Sequence, residues 1–245
     1  MSTRTAIHAT GIVVALASEA GALTAANSQP ECITPLAEGA ALCLSGMGPA
    51  AAHVAAHKLA DAGATALAVF GVAGALHASL HNGALVCPER VLDDRGHAYA
   101  TDAAWRGRLQ RQLAVPSMPL HACGSLLSVD APLLSAAAKA AAHDRHGALA
   151  VDMESAAVAA VAHERGLPLV VLRAIVDEID DRIPEALNGS VDAWGRPRMA
   201  AVVAALCRHP SLLARLPRLY SRMQRATQAL RAAAKATGPT LGWRR

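Results

Sequence analysis

The stretch VDMESAAVAAVAHERGLPLVVLRAIVDEIDD, residues 151–181, decides the reading of this chain. Two carboxylates, Asp152 and Glu154, follow the short apolar run ALAV of residues 148–151. From Ser155 onward the sequence is rich in Ala and Val, as a buried helix would be, and Gly166 and Pro168 are its stop signals. Residues 169–172 then read as a short buried strand whose end delivers Arg173 and Asp177. In open α/β sheets ligands bind beyond the carboxyl ends of strands. Both strands therefore aim their polar residues at one crevice. Carboxylates that leave a strand just before a helix also lie near the positive end of that helix.

Outward from this stretch, strands and helices alternate. Residues 11–16 and 41–45 read as strands, and residues 49–62 as a helix with Pro49 at its start, where the missing N–H costs nothing. Residues 65–70 form a buried strand, and residues 83–92 an extended segment before the turn DDRG. Helices are expected over residues 103–113 and 131–146, with a strand over residues 120–123 between them. Such alternation argues for an α/β sheet covered on both faces. With 245 residues, 53% of them hydrophobic, the chain can bury one large core. One Phe and two Tyr leave Ala, Leu and Val to fill it.

Several function classes are set aside by composition. No apolar run reaches the roughly 18 to 20 residues of a membrane span. The first ten residues, MSTRTAIHAT, make a poor secretory signal, because the apolar run after them is short and carries Glu19. A cytoplasmic protein is the expectation. The cysteines Cys32, Cys43, Cys87, Cys123 and Cys207 form no CxxC pair and are expected to be reduced and mostly buried. The pairs His53/His57 and His77/His81 have helical spacing but lack the Glu of a metalloprotease helix, so no metal site is expected.

Charge divides the chain. Residues 1–189 carry 12 Lys/Arg against 18 Asp/Glu, whereas residues 190–245 carry 11 against Asp192 alone. The net charge of +4 thus conceals an acidic body and a basic tail. In that tail Leu213, Leu216, Leu219, Tyr220, Met223 and Leu230 recur at helical spacing, with Arg215, Arg218, Arg222, Arg225 and Arg231 between them. Pro217 is expected to kink this helix or to start a new one. Apolar and basic flanks on one helix suit the surface of an anionic membrane. A helix simply packed on the body reads the same way. Nucleic-acid binding is not expected, because stacking aromatic residues are nearly absent from the tail.

DMESAA at residues 152–157, followed by VLRAIVD at residues 171–177, resembles the superfamily of purine nucleoside phosphorylases and methylthioadenosine/S-adenosylhomocysteine nucleosidases. CLSGMGPAAAHVAAHKL from Cys43 and ALAVFGVAGAL from Ala66 fit the same pattern in order and spacing. The resemblance implies a three-layer α/β sandwich with a mixed central sheet, here extended by C-terminal helices. It covers roughly the first three quarters of the chain, and with the change of charge near Asn188 the expectation is a catalytic domain over residues 1–189 and a basic amphipathic helical extension over residues 190–245 that packs on it. It also implies an enzyme that cleaves an N-glycosidic bond, assembled as a homo-oligomer.

The roles that the resemblance implies fall on particular residues. Asp177 would be the general acid that protonates N7 of adenine, for which burial must raise its pKa. Glu154 would accept hydrogen bonds from the ribose 2′- and 3′-hydroxyls, and Met153 would pack on the sugar. Arg173 would orient the site or hold Glu154. Glu19, after the first strand, stands where the nucleosidases place the Glu that activates water. Ser45, Gly46 and Gly71 in the glycine-rich turns, and Ser128, Pro132 and Leu133 in a base loop over residues 124–133, complete the substrate-binding set. No cofactor is implied.

Hydrolysis and phosphorolysis both remain open. Phosphate would enter as a co-substrate only in the phosphorolytic reaction. Val69, Phe70 and Val72 stand where the phosphorylases place a phosphate-binding Arg and hydroxyl, which favours hydrolysis; backbone amides near Gly46 and Gly48 could still cradle an anion. Pro132 replaces a stacking Phe, and Val176 a Ser, of the nucleosidases. The chain is most similar to the hopanoid-associated nucleoside phosphorylases, which share VDMESAAVA, an aliphatic first loop and an Arg-rich tail. That branch removes adenine from adenosylhopane. The substrate expected is therefore an adenine nucleoside with a lipid-like 5′ group. Leu16, Leu126, Leu127 and the C-terminal helix are its candidate contacts, and the helix would also touch the inner face of the cell membrane.

Overall fold

A computed structural model describes residues 7–115, 119–182, 184, 190–209 and 212–244. The sheet is built around β4 (Ala66–Ala75), whose run ALAVFGVAGA has no polar alternation because both faces of the strand are covered. On one side β4 pairs in parallel with β1 (Thr10–Val14), which in turn pairs in parallel with β3 (Ala41–Leu44). On the other it pairs in parallel with β11 (Leu169–Asp177). The short edge strand β2 (Ile33–Pro35) runs antiparallel to β3. Near its end β4 also meets β10 (Ala150–Asp152) in antiparallel register. From there the order continues through β9 (Ser125–Ser128), β6 (Arg90–Asp93) and β7 (Ala98–Ala100). β5 (Leu85–Val86) and β8 (Leu120–His121) extend the sheet from β11. The sheet is mixed.

Alternate residues of the central strands feed two cores. Val13, Ala41, Cys43, Leu67, Val69, Leu169 and Val171 pack against α2 (Pro49–Asp61) and α5 (Ser155–Glu164). Their neighbours Ile12, Val14, Leu42, Leu44, Ala68, Phe70, Val170 and Leu172 face the other way. They meet Ala20 of α1 (Ala17–Leu23), Trp105 and Leu109 of α3 (Ala103–Gln112), and Ala226, Leu230 and Ala233 of α7 (Leu212–Thr237). This is the three-layer sandwich expected.

The extension expected from residue 190 packs on the sheet through the second half of α7, which forms part of one outer layer. The chain beyond it is pinned as well: Trp105 Nε1 donates to the Leu241 carbonyl at 2.6 Å, and Thr10 Oγ1 to the Thr240 carbonyl at 2.9 Å. Pro217 does not start a new helix. It lies in the second turn of α7, which runs on through it and forgoes one backbone hydrogen bond. α6 (Met199–Arg208) is a separate helix.

Element boundaries differ from expectation where side-chain chemistry intervenes. α4 (Ala136–His146) begins five residues later than residue 131, because Ser135 caps it by accepting the Ala138 N–H. The first half of the expected base loop is strand β9. β4 runs through Gly71 and Gly74, and β11 runs on through Arg173 to Asp177, so both strands are longer than their apolar runs.

Candidate active site

A cavity of about 250 Å³ opens at the carboxyl ends of the central strands. Ala15, Leu16 and Glu19 enter it from the β1–α1 turn, Val72 to Gly74 from β4, and Asp152 to Glu154 from the β10–α5 turn. Pro132 and Leu133 enter from the loop before α4, Lys139 from α4 itself, and Val176 and Asp177 from the end of β11.

Glu19 is buried at 2% exposure in the first turn of α1. Its Oε2 accepts the N–H groups of Ala15 and Leu16, each at 2.9 Å, and its Oε1 accepts that of Val72 at 2.8 Å. Burial pushes the carboxyl up to about 7, against the pull of Arg173 and of the Leu16 and Val72 hydrogen bonds. The approach is possible because residue 71 is glycine. A Cβ there would stand 2.3 Å from Glu19 Oε1 and 2.5 Å from Arg173 Nη1.

Arg173, fully buried, ties two further carboxylates together. Its Nε donates to Asp152 Oδ2 at 2.8 Å and its Nη2 to Glu154 Oε2 at 3.1 Å. Burial opposes its charge, but Asp152, Glu154 and Glu19 together hold it above the ordinary arginine range. Asp152 also accepts from the Ser128 and Ser155 hydroxyls and from the Ser155 N–H. Glu154 keeps Oε1 on the Gly48 N–H at 2.9 Å. Burial pushes the Glu154 carboxyl up, Arg173 lowers it and Asp152 raises it again. Glu19, Asp152 and Glu154 thus face a single guanidinium. The arrangement favours a positive charge developing beside it.

Asp177 is placed by a β-bulge. The register between β11 and β4 slips between Ile175 and Asp177, so Asp177 stands opposite Gly74 and both Val176 and Asp177 reach the cavity. A Cβ on Gly74 would lie 3.1 Å from Asp177 Oδ2. Lys139, 1% exposed, pairs with that same oxygen and also donates to the Glu178 carbonyl at 2.7 Å. Burial pushes the Asp177 carboxyl up; Lys139, and more weakly Arg222, pull it down. Among the described residues Lys139 is the only cation lining the cavity.

The structure gathers Glu19, Met153, Glu154, Asp177, Pro132 and Leu133 around this one cavity. Arg173 and Gly71 lie behind its wall, in contact with Glu19 or Glu154. Ser45 and Ser128 line neighbouring hollows instead. Gly46 is covered by the Ala193–Trp194 turn, whose Ala193 carbonyl also accepts the Met47 N–H at 2.7 Å. The Gly48 amide is occupied by Glu154. Leu126 and Leu127, candidates for a lipid contact, are strand residues buried in the cores, because alternation in β9 sends them to the two faces of the sheet; Leu16 does line the cavity. Lys139 escaped the sequence reading. In AAAKAAA it looks like a solvated helix lysine, and the only signal is the acidic run DEIDD that it faces.

Two of the four described cysteines, Cys43 and Cys87, are buried, and burial pushes their thiols up to about 11 and about 12. Cys32 and Cys123 are exposed, contrary to the mostly buried set expected; Cys207 lies outside the described side chains. His57 and His77 are held by Arg165 and Ser79. No helix among the described residues is long and apolar enough to cross a membrane.

A mixed sheet between two helical layers, with carboxylates converging at its strand ends, defines the class, and comparison with known proteins agrees. Residues 10–208 match the family model of the phosphorylase superfamily. The chain belongs to that superfamily and is an enzyme of its kind. No curated protein matches the sequence. Among solved structures, the 5′-methylthioadenosine/S-adenosylhomocysteine nucleosidase of Neisseria meningitidis, in complex with methylthio-immucillin-A, aligns with a TM-score of 0.67 at 18% identity. That alignment covers 93% of this chain and 97% of the other. The futalosine hydrolase of Helicobacter pylori aligns with a TM-score of 0.64 at 18% identity, over 92% of this chain and 97% of the other.

Proposed function

We propose that this enzyme hydrolyses the N-glycosidic bond of an adenine nucleoside. Asp177 protonates N7 of the base, and the electrons of the C1′–N9 bond move onto the purine. Glu154 holds the 2′- and 3′-hydroxyls while Met153 packs on the sugar. The carboxylates around Arg173 stabilise the ribosyl cation, and Glu19 takes the proton of the water that attacks C1′.

One observation carries hydrolysis over phosphorolysis. Three N–H groups that could grip an anion, those of Ala15, Leu16 and Val72, already hold the Glu19 carboxylate. The cation on the cavity, Lys139, already holds Asp177. A phosphate dianion would meet carboxylates rather than donors.

The cavity suits a nucleoside head, being close to the lower end of the roughly 300–1,000 Å³ usual for ligand pockets. Leu16, Met47, Val72, Leu133 and Val176 give it an apolar side. Together with the resemblance of VDMESAAVA and the basic tail to the hopanoid-associated branch, this supports adenosylhopane as the substrate. The triterpenoid would extend out of the cavity and keep the enzyme, cytoplasmic and homo-oligomeric, at the inner face of the membrane. Residues 1–189 supply every proposed catalytic group.

The test is release of adenine from adenosylhopane, methylthioadenosine and adenosine, with and without phosphate. Hydrolysis predicts a free ribosyl product at a rate independent of phosphate, and Asp177→Asn lowering kcat by roughly 100-fold or more. Strict phosphate dependence with a ribosyl-1-phosphate product would overturn hydrolysis and leave phosphorolysis. Wild-type release of adenine by D177N would overturn the acid assignment.

A further inference from the structure

We propose that Lys139 supplies the proton that Asp177 passes to the leaving base, acting as a positioning residue through the Asp177 carboxylate. The proposal rests on Asp177 being the general acid. A lysine is seldom buried completely unless its charge is paired. Lys139 projects from α4 between alanines, and its three N–H bonds have three acceptors: Asp177 Oδ2, the Glu178 carbonyl at 2.7 Å and the Asp181 carbonyl at 3.4 Å. An ammonium ion is thereby fully satisfied. In that ion pair, however, Asp177 is a carboxylate and has no proton to give.

The neighbouring charges among the described residues leave one source for it. From α7, Arg222 acts on Asp177 but is bound to Asp181, and a guanidinium does not release its proton. Arg218 reaches Asp181 as well, at 3.4 Å. The Glu178 carboxylate is turned to the Asn82 N–H at 3.0 Å. β4 presents only Gly74 to Asp177. Across the cavity stand Glu19, Asp152 and Glu154, with Arg173 between the last two. Among the described residues, Lys139 alone both touches Asp177 and can give up a proton.

A bound base closes the cavity over this pair and removes its water. Transfer of one proton from Nζ to the carboxylate then replaces two buried charges by two neutral groups, which lowers the desolvation cost. The Asp177 O–H bond breaks as N7–H forms, and the C1′–N9 electron pair leaves with the base. Water bonds to C1′ and loses its proton to Glu19. When the products leave, solvent returns that proton from Glu19 to the Lys139 amine, so both groups regain their starting states.

Two variants test this, each assayed for adenine release across pH with whichever of the three nucleosides the wild type cleaves. Lys139→Arg keeps the charge and the donors but withholds the proton. It should lose about 100-fold in kcat while unfolding at close to the wild-type temperature. Lys139→Met leaves Asp177 with only its own proton, so the alkaline limb of kcat should move to lower pH. A cation that merely steadied Asp177 gives the opposite result: its removal raises the carboxyl and moves that limb to higher pH. Should the Met variant unfold, K139Q gives the same reading. Wild-type turnover by K139R, or an alkaline limb that moves up, would overturn the relay. A 100-fold loss in D177N alongside full activity in K139R sinks the relay alone, whereas full activity in D177N sinks the general-acid reading with it.

Discussion

Glu19 is pulled in two directions. Its burial favours the neutral acid, while Arg173 and the Leu16 and Val72 N–H groups favour the carboxylate, and the balance lies at about 7. A base that takes a proton from water works only when ionised. Below about 7 the active fraction should therefore fall tenfold per pH unit, and above it kcat should level until the acid side of the reaction titrates. The acidic limb of the pH–rate profile is the measurement. A limb near the ordinary 4.5 would mean that Glu19 is hydrated during turnover and that burial does not set its proton. The place of Glu154 and Asp177 on the cavity was legible in the sequence because each follows an apolar strand, where the topology of an α/β sheet gathers polar groups; Glu19 was legible through the family resemblance. Lys139 was not. Nothing local distinguishes a helix lysine that turns inward from one in water; only the partner across the fold does.

At the scale of elements, the apolar runs marked the central strands and the glycines obscured their ends. Gly71 and Gly74 read as a loop, but they are strand positions left without a side chain so that Glu19, Arg173 and Asp177 can approach β4. The bulge before Asp177 was not legible either, since its cue is the register with β4 rather than any residue type. The tail was legible only in part. Its Leu and Arg spacing is that of a helix on the surface, and the first half of α7 fits, but Ala226, Leu230 and Ala233 are fully buried. They cover Phe70, Leu172 and Ala174 of the central strands. Leu230→Ala should accordingly cost about 2–5 kcal/mol, as deletion of a buried leucine side chain does. Removal of residues 226–245 should abolish cooperative unfolding. Urea denaturation checks both. A truncated protein with the wild-type midpoint would show that the tail is an appendage after all.

For the whole molecule, charge and surface separate in the same sense. The acidic body holds the cavity, and residues 190–245 carry 11 of the 23 Lys and Arg residues. Not all of that charge is free to meet a membrane: Arg222 is bound to Asp181, and Arg225 packs on Gly83. What α7 does present is Leu213 and Tyr220, 61% and 67% exposed and seven residues apart on one helix face, with Arg215 exposed beside them and Arg218 exposed but paired with Asp181. Each such Arg near an anionic surface contributes about 1 kcal/mol, and burial of the two apolar side chains adds to it. Because deletion of the tail would open the core, point substitutions have to test this face. Leu213→Glu with Arg215→Glu and Tyr220→Glu should abolish flotation with anionic liposomes, and high salt should weaken flotation of the wild type. Adenine release from a soluble nucleoside should stay unchanged, since none of the three residues lines the cavity. Equal flotation of the triple variant and the wild type would rule out docking through α7.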